Sequence, residues 1–436
     1  MNNESEHRKF PIATVLRVTC GNFLEMYDFM IFGYFSAAIA KAYFPNQSDF
    51  NGLMLSLATF GAGFLMRPLG ALVLGGYTDR RGRRAGLLLT LALMAFGTLS
   101  IACTPGYARI GVAAPVIVLL GRLLQGLSAG AELGSVSVYL SEIAPAHERG
   151  FYVSWQSASQ QLAVVFAALL GFVLSAKLPP AAMNSWGWRV PLWIGCALIP
   201  FLFFIRRTLE ETPGFLAKRK RFTTTEILRA VLANWRIVLI GTMLTTMTTT
   251  AFYMITAYTP TYGANALHLD KQSTFIVTLC VGALNFAMLP VMGSLSDRIG
   301  RRPLLVACTV LTLVTAYPFM AWLVQQPSFA RLLCVELWLA LLYASYNGAM
   351  VVYLTEIMPA DVRSTGFSLA YSIATAVFGG YTPAICTYLI HATRSRAIPG
   401  AWLSTAALLA LTAVVCTMLV PGLTGNPRAD RPVPTS

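Results

Sequence analysis

Glu25, Asp28, Arg67, Arg122 and Glu132 are ionisable residues inside stretches that are otherwise apolar, and Glu336 stands near the edge of another. A charge facing hydrocarbon is costly, so such residues must face one another or a water-filled route. Glu25 and Asp28 are three apart and share a helix face. Asp28 lies near the middle of the first apolar run and Arg122 in the outer half of the fourth, depths that allow an Asp28–Arg122 pair. Arg67, on the inner half of the second run, can instead serve Glu25. An acid facing an arginine holds it. A proton arriving on the acid frees the arginine, whose planar fork fits a carboxylate. Such a group loads a proton and an anion together. The plainer alternative is a static pair that pins two helices. Glu132 is divided evenly between coupling and packing.

Uncharged polar residues gather at similar depth. They are Asn22 and Tyr27 in the first run, Gln125 in the fourth, Gln156, Ser159, Gln160 and Gln161 in the fifth, and Tyr343, Tyr346 and Asn347 in the tenth. The seventh reads TTMTTTAFYMITAYTPTY and contains Tyr253. Amide, phenol and hydroxyl groups can orient carboxylates without adding negative charge, although many threonines bond to their own helix. Candidate solute contacts are therefore Arg122, Arg67, Asn22, Tyr27, Gln125, Gln156, Gln160, Tyr253 and Asn347. The proton-coupling candidates are Asp28, Glu25, Arg122 and Glu132. Tyr258, Pro260 and Tyr262 mark a break at the outer end of the seventh run, where a gate is reasonable. Pro68, Pro290 and Pro383 are further kink candidates.

The elements that hold these residues follow from composition. Hydrophobic residues make up 56% of the 436 positions and charged residues 11%, with a mean hydropathy of +0.63. A soluble chain of this length needs far more charge, which points to an all-α membrane protein. Twelve apolar runs can cross the bilayer, at 18–42, 53–76, 85–104, 115–139, 153–175, 189–206, 236–259, 274–293, 304–324, 332–354, 367–390 and 400–420. They form six-helix halves at 1–206 and 236–420, with a linker at 207–235 and a tail at 421–436. The opening MNNESEHRKF lacks the apolar core of a cleavable signal, so the first span is retained. With both termini cytoplasmic, inner segments hold 22 Lys/Arg and outer segments 8, which sets the orientation. The net charge of +14 is accounted for by that bias and needs no nucleic-acid partner. The 8 cysteines are scattered without metal-ligand spacing and read as small apolar residues.

GGYTDRRGRR at 75–84 returns as GSLSDRIGRR at 293–302, and YLSEIAPAHERG from Tyr139 returns as YLTEIMPADVRSTG from Tyr353. The offsets are 218 and 214 residues, so the halves are related. The repeated acid can accept hydrogen bonds from helix-start amides or from an arginine of a neighbouring span, and so lock the inner ends in one conformation. Gating candidates are Asp79, Arg80, Arg83, Glu142 and Arg149 in the first half, and Asp297, Arg298, Arg301, Glu356 and Arg363 in the second. Plain positive-inside anchoring is the alternative, made weaker by retention of the acid in both copies.

These turns, with GRLLQGLSAGAELG at 121–134, resemble the major facilitator superfamily. NFLEMYDFMIFGYF at 22–35, FLMRPLGALVLGGYTDRRGRR at 64–84 and VYLSEIAPAHERGFYVSWQSASQQ at 138–161 are similar to its metabolite:proton symporter family. NWRI at 234–237, MTTTAFYMITAYTPTYG at 247–263 and the stretch 346–385 resemble the members that carry citrate or tricarballylate. The resemblance covers nearly the whole chain. It implies the major facilitator fold and proton-coupled uptake of a tricarboxylate across a bacterial inner membrane, driven by the proton gradient without a cofactor. It also implies that a monomer suffices, with lipid as its surroundings. The family's first-span acidic pair maps to Glu25 and Asp28 and its span-four arginine to Arg122. Aromatic-acid members usually carry Asp at both first-span positions, whereas this chain has Glu25.

A drug or cation exporter would favour an acid-dominated pocket, against Arg67 and Arg122. Uptake of an osmolyte or another carboxylate by the same fold stays open. An enzyme would need a nucleophile–base or metal constellation at membrane depth, yet His7, His147, His268 and His391 fall in loops or beside span ends. A sensor is not favoured, since no appended signalling domain is recognised.

Overall fold

The computed structural model describes residues 12–45, 48–81, 83–207, 229, 233–359 and 363–419. Most of the linker expected at 207–235 and the tail at 421–436 lie outside the described residues. Helices account for the secondary structure, with no strand among the described residues. Among the described residues, nine helices are long and apolar enough to cross a membrane, or ten with a bent pair counted as one span, and Leu88–Cys103 is a shorter apolar helix.

All twelve expected spans fall on helices, most of which run a turn further at one or both ends. Span one is Ile12–Tyr34 continued by Ser36–Tyr43 after a 69° bend. Span two is Asp49–Leu65 and Arg67–Arg81. Its interruption at Met66 precedes Pro68, which has no N–H to return to the carbonyl four residues back. Spans three to six are Arg83–Cys103, Ala113–Ile143, Arg149–Lys177 and Val190–Arg207. Spans eight to ten are Lys271–Ile299, Arg301–Gln325 and Phe329–Ile357, and span twelve is Ile398–Leu419. Pro290 lies inside an unbroken span eight.

Span seven differs from expectation. In place of a break at Tyr258, Pro260 and Tyr262, the helix Trp235–Tyr253 continues through π-helical turns at Met254–Tyr258 and Tyr262–Ala266 around a short α segment, Thr259–Thr261. A π turn accommodates an extra residue without ending the helix. Span eleven is built alike, with Arg363–Ala374, a π turn at Thr375–Gly379, and Thr382–Thr393.

Phe96, Phe204 and Val314 are 66%, 67% and 64% exposed. Large apolar side chains bare on so many helices suit a lipid boundary. Without a hydrophobic drive between helices, packing relies on small residues. Spans two and four touch backbone to backbone where Gly63 meets Gly126, which brings Arg67 and Arg122 toward one centre. Spans five and eight meet similarly at Gly150 and Gly293. The halves also join where Gly33 of span one faces Ala257 of span seven, and where Phe64 of span two faces Gly380 of span eleven.

Candidate functional site

The charged residues of the first half converge in two units. Arg67, placed by the interruption of span two, donates Nη2 to Glu25 Oε1 at 2.8 Å, and both side chains are 3% exposed. The second unit differs from the direct Asp28–Arg122 pair expected from depth. Arg122 Nη1 donates to Gln125 Oε1 at 2.7 Å. Gln125 Nε2 donates to Thr98 Oγ1 at 3.0 Å and more weakly, at 3.5 Å, to Asp28 Oδ2. Thr98 Oγ1 in turn donates to that same Asp28 oxygen. The cause is local: Gln125 lies one turn along span four from Arg122, so its amide reaches the guanidinium first.

Aromatic rings separate and cover the arginines. Arg122 lies over Phe29, Phe32 and Phe60 at 4.6, 4.4 and 5.4 Å from their centroids. Arg67 lies over Phe29 and Phe64 at 5.0 and 4.7 Å. Cation–π attraction strengthens when water is excluded. Tyr253, from the opposite half, closes the group edge-on against Phe60 and Phe64 at 6.1 and 5.0 Å. Sequence reading missed Thr98 and the four phenylalanines. Their signal was spacing, since Phe29 and Phe32 are three apart and Phe60 and Phe64 four, each pair on one helix face.

Several buried polar atoms here have no hydrogen-bond partner among the described residues: Asp28 Oδ1, Arg122 Nε and Nη2, both amide atoms of Asn22, Gln156 Nε2 and Asn347 Nδ2. Buried polar groups are usually hydrogen-bonded, so a cluster of unpartnered ones marks bonding capacity that the protein's own described groups leave open. Gln160 is buried in span five. Asn347 Oδ1 accepts from Thr248 Oγ1 at 2.9 Å across spans seven and ten. Thr245, Thr246 and Thr249 bond instead to their own helix. The Tyr27 hydroxyl donates to the Pro191 carbonyl of span six at 2.7 Å. The side chain of Glu132 lies outside the described residues. Glu336 is buried in span ten, with Oε1 accepting from Thr259 Oγ1 at 3.1 Å.

At the end of the bundle that the charge bias assigns to the cytoplasm, Asp297 joins the halves. Its Oδ1 and Oδ2 accept from the backbone N–H groups of Gly150 and Phe151, at the start of span five, at 2.8 and 3.0 Å. Arg301 Nη2 lies 2.6 Å from Asp297 Oδ1 and 3.3 Å from Glu356 Oε1. The repeated acid thus takes both of the partner types open to it in the sequence. Of the other gating candidates, Glu356 joins this network through Arg301, and no ion pair links Glu142 to Arg149 or Glu356 to Arg363 among the described residues. Glu142 is exposed and Glu356 turns to Arg301, while Arg149 and Arg363 begin spans five and eleven. Arg298 is exposed. The side chains of Asp79, Arg80 and Arg83 lie outside the described residues. Among the described residues, no group of three or more His, Cys, Asp or Glu could hold a metal.

The chain matches the family profile described as Major Facilitator Superfamily over residues 18–383 and again over 264–436. It is 56% identical over 401 residues to a citrate-proton symporter of Salmonella typhi, covering 92% of each chain. Identity to a citrate-proton symporter of Klebsiella pneumoniae is 54% over 402 residues, 92% of this chain and 90% of the other. Its fold superposes on a partially occluded, inward-open conformation of the xylose transporter XylE from E. coli with a TM-score of 0.76. That match has 18% identity and spans 94% of this chain and 98% of the other.

Proposed function

The chain belongs to the major facilitator superfamily, and on that premise we propose that it imports citrate with protons by alternating access. It is a secondary active transporter and not an enzyme. The observation that carries the substrate class is Arg122, fully buried among phenylalanine rings with Nε and Nη2 unpartnered beside a carboxylate. A guanidinium with two free donors in a dry site is made for a bidentate anion. Asn22, Gln156 and Asn347 offer the neutral donors and acceptors that a tricarboxylate needs beyond its first carboxyl group.

Coupling follows from charge. The formal charges of Glu25, Asp28, Arg67 and Arg122 cancel, so a citrate anion entering this buried group is uncompensated unless protons come with it. A proton on Asp28 replaces the hydrogen bonds that Thr98 and Gln125 donate to it. Gln125 then turns from Arg122, and Arg122 Nη1 joins Nε and Nη2 in holding a carboxylate. Glu25 and Arg67 form a second exchangeable pair on the other side of Phe29. Release to the inside reverses the order, and the ion pairs reform as the protons leave. The Asp297 latch and its Arg301–Glu356 extension open and close the inner end.

The protein works as a monomer in the bacterial inner membrane with both termini cytoplasmic. Residues 1–206 and 236–420 rock against each other about 207–235. No cofactor is required, the proton gradient being the drive. Reconstituted protein is expected to accumulate labelled citrate when an inward proton gradient is imposed and to stop on addition of a protonophore. Tricarballylate, which lacks only the hydroxyl, measures how far that group is read, with succinate, 2-oxoglutarate and betaine as controls. Uptake of betaine in preference to every carboxylate would refute this reading.

A further inference from the structure

The outer end of the bundle holds a cavity of about 940 Å³. Its walls carry Lys41 from span one, Lys271 from span eight, and Arg394 and Arg396 from the turn after span eleven, against the carboxylate of Asp49. His268 and His391 line it as well. Outer segments of the chain have only 8 Lys/Arg, and half of them are gathered here. Among the described residues, none of these four side chains is tied up in an ion pair or hydrogen bond. By contrast, the outer Arg189 is bonded to Ser185, Tyr43 and Thr104.

The backbone is specialised at the same place. His268 and Arg394, with φ of 56° and 58°, are the two non-glycine residues of positive φ among those described, and both line the cavity. Arg394 caps the end of span eleven in the left-handed conformation, a common helix ending, while positive φ is uncommon for a residue such as His268. One constraint is visible: the Tyr262 hydroxyl donates to the Arg396 carbonyl at 2.8 Å. Another is the stack of His391 on Phe50, 4.0 Å between centroids, which joins spans eleven and two across the two halves. Thr261, also in the cavity wall, contacts Ser36 at 3.3 Å across the seam between spans one and seven.

We propose that this vestibule is an outer docking subsite for polycarboxylate anions, which gathers the solute above the closed seam before it reaches Arg122. The inference rests on import of an anion from this side. Unpaired cations in a concave wall raise the local concentration of a multivalent anion and speed its capture, an effect that salt screens. The central site then receives a solute already selected for charge.

The test is the initial rate of labelled citrate uptake into proteoliposomes under a fixed proton gradient, at low and high ionic strength. Wild-type KM is expected to rise several-fold with salt. A combined K41Q/K271Q/R394Q/R396Q variant should have a KM about 10-fold higher at low salt, a flattened salt dependence, and an unchanged maximal rate per inserted protein. Arg109→Gln, the same charge change on an outer residue away from the cavity, should leave KM as it is. Asp49→Asn, which removes the one opposing charge, should lower KM and so gives a gain that misfolding cannot imitate. A wild-type KM that ignores salt, or equal KM values in wild type and both vestibule variants, overturns the inference while leaving citrate transport intact. Absence of citrate uptake by the wild type overturns the transport reading and this inference with it.

Discussion

At the scale of single residues, Asp28 and Arg122 communicate through intermediaries. Asp28→Asn removes the titrating group but keeps an acceptor for Thr98. Accumulation of citrate against its gradient should be lost, while exchange of external for internal citrate persists. Undiminished accumulation by the variant would take Asp28 out of the coupling step. Arg122→Gln should weaken citrate binding about 10- to 100-fold, or ~1.4 to 2.7 kcal/mol, with normal membrane insertion. Unchanged binding in a direct titration would remove Arg122 from the solute site. The charges themselves were legible in the sequence, because an arginine in an apolar run announces itself. Their connections were less so. Gln125 intercepts Arg122 before Asp28 does, and its spacing of three was visible, but which of two acceptors wins depends on helix rotation. Thr98 and Phe29 were silent, being ordinary residues for an apolar run whose role arises only when another helix brings a charge beside them.

At the scale of helices, the helices on which all twelve expected spans fall were readable from apolar length, and Pro68 foretold the interruption that sets Arg67. The π turns of spans seven and eleven were not, because they change which carbonyl each N–H meets without changing composition. The inner latch was half legible: the duplicated acid was plain, but its grip on the first N–H groups of span five needed Gly150 and Gly293 to let the two backbones close. Asp297→Asn keeps one acceptor oxygen and loses both the second and the charge facing Arg301. In a background without native cysteines, a cysteine at Ser154 should then react several-fold faster with an impermeant maleimide applied from the cytoplasmic side. An unaltered labelling rate would show that the inner seam does not depend on this carboxylate.

At the scale of the whole molecule, a candidate site built chiefly by the first half is covered by the second, through Tyr253 against the span-two phenylalanines, while Asp297 meets span five. Neither half has a complete enclosure alone, so relative movement of the two necessarily alters access. The cancelling charges of Glu25, Asp28, Arg67 and Arg122 carry one more consequence, which concerns voltage. An empty carrier whose centre is neutral moves no net charge as it reorients, so the membrane potential, worth ~2.3 kcal/mol per charge per 100 mV, has nothing there to act on. For these four groups, charge moves in the loaded step alone, by whatever surplus of protons over anionic charge it carries. Any current recorded from protein on a solid-supported membrane should therefore depend on citrate and be absent from the return of the unloaded form.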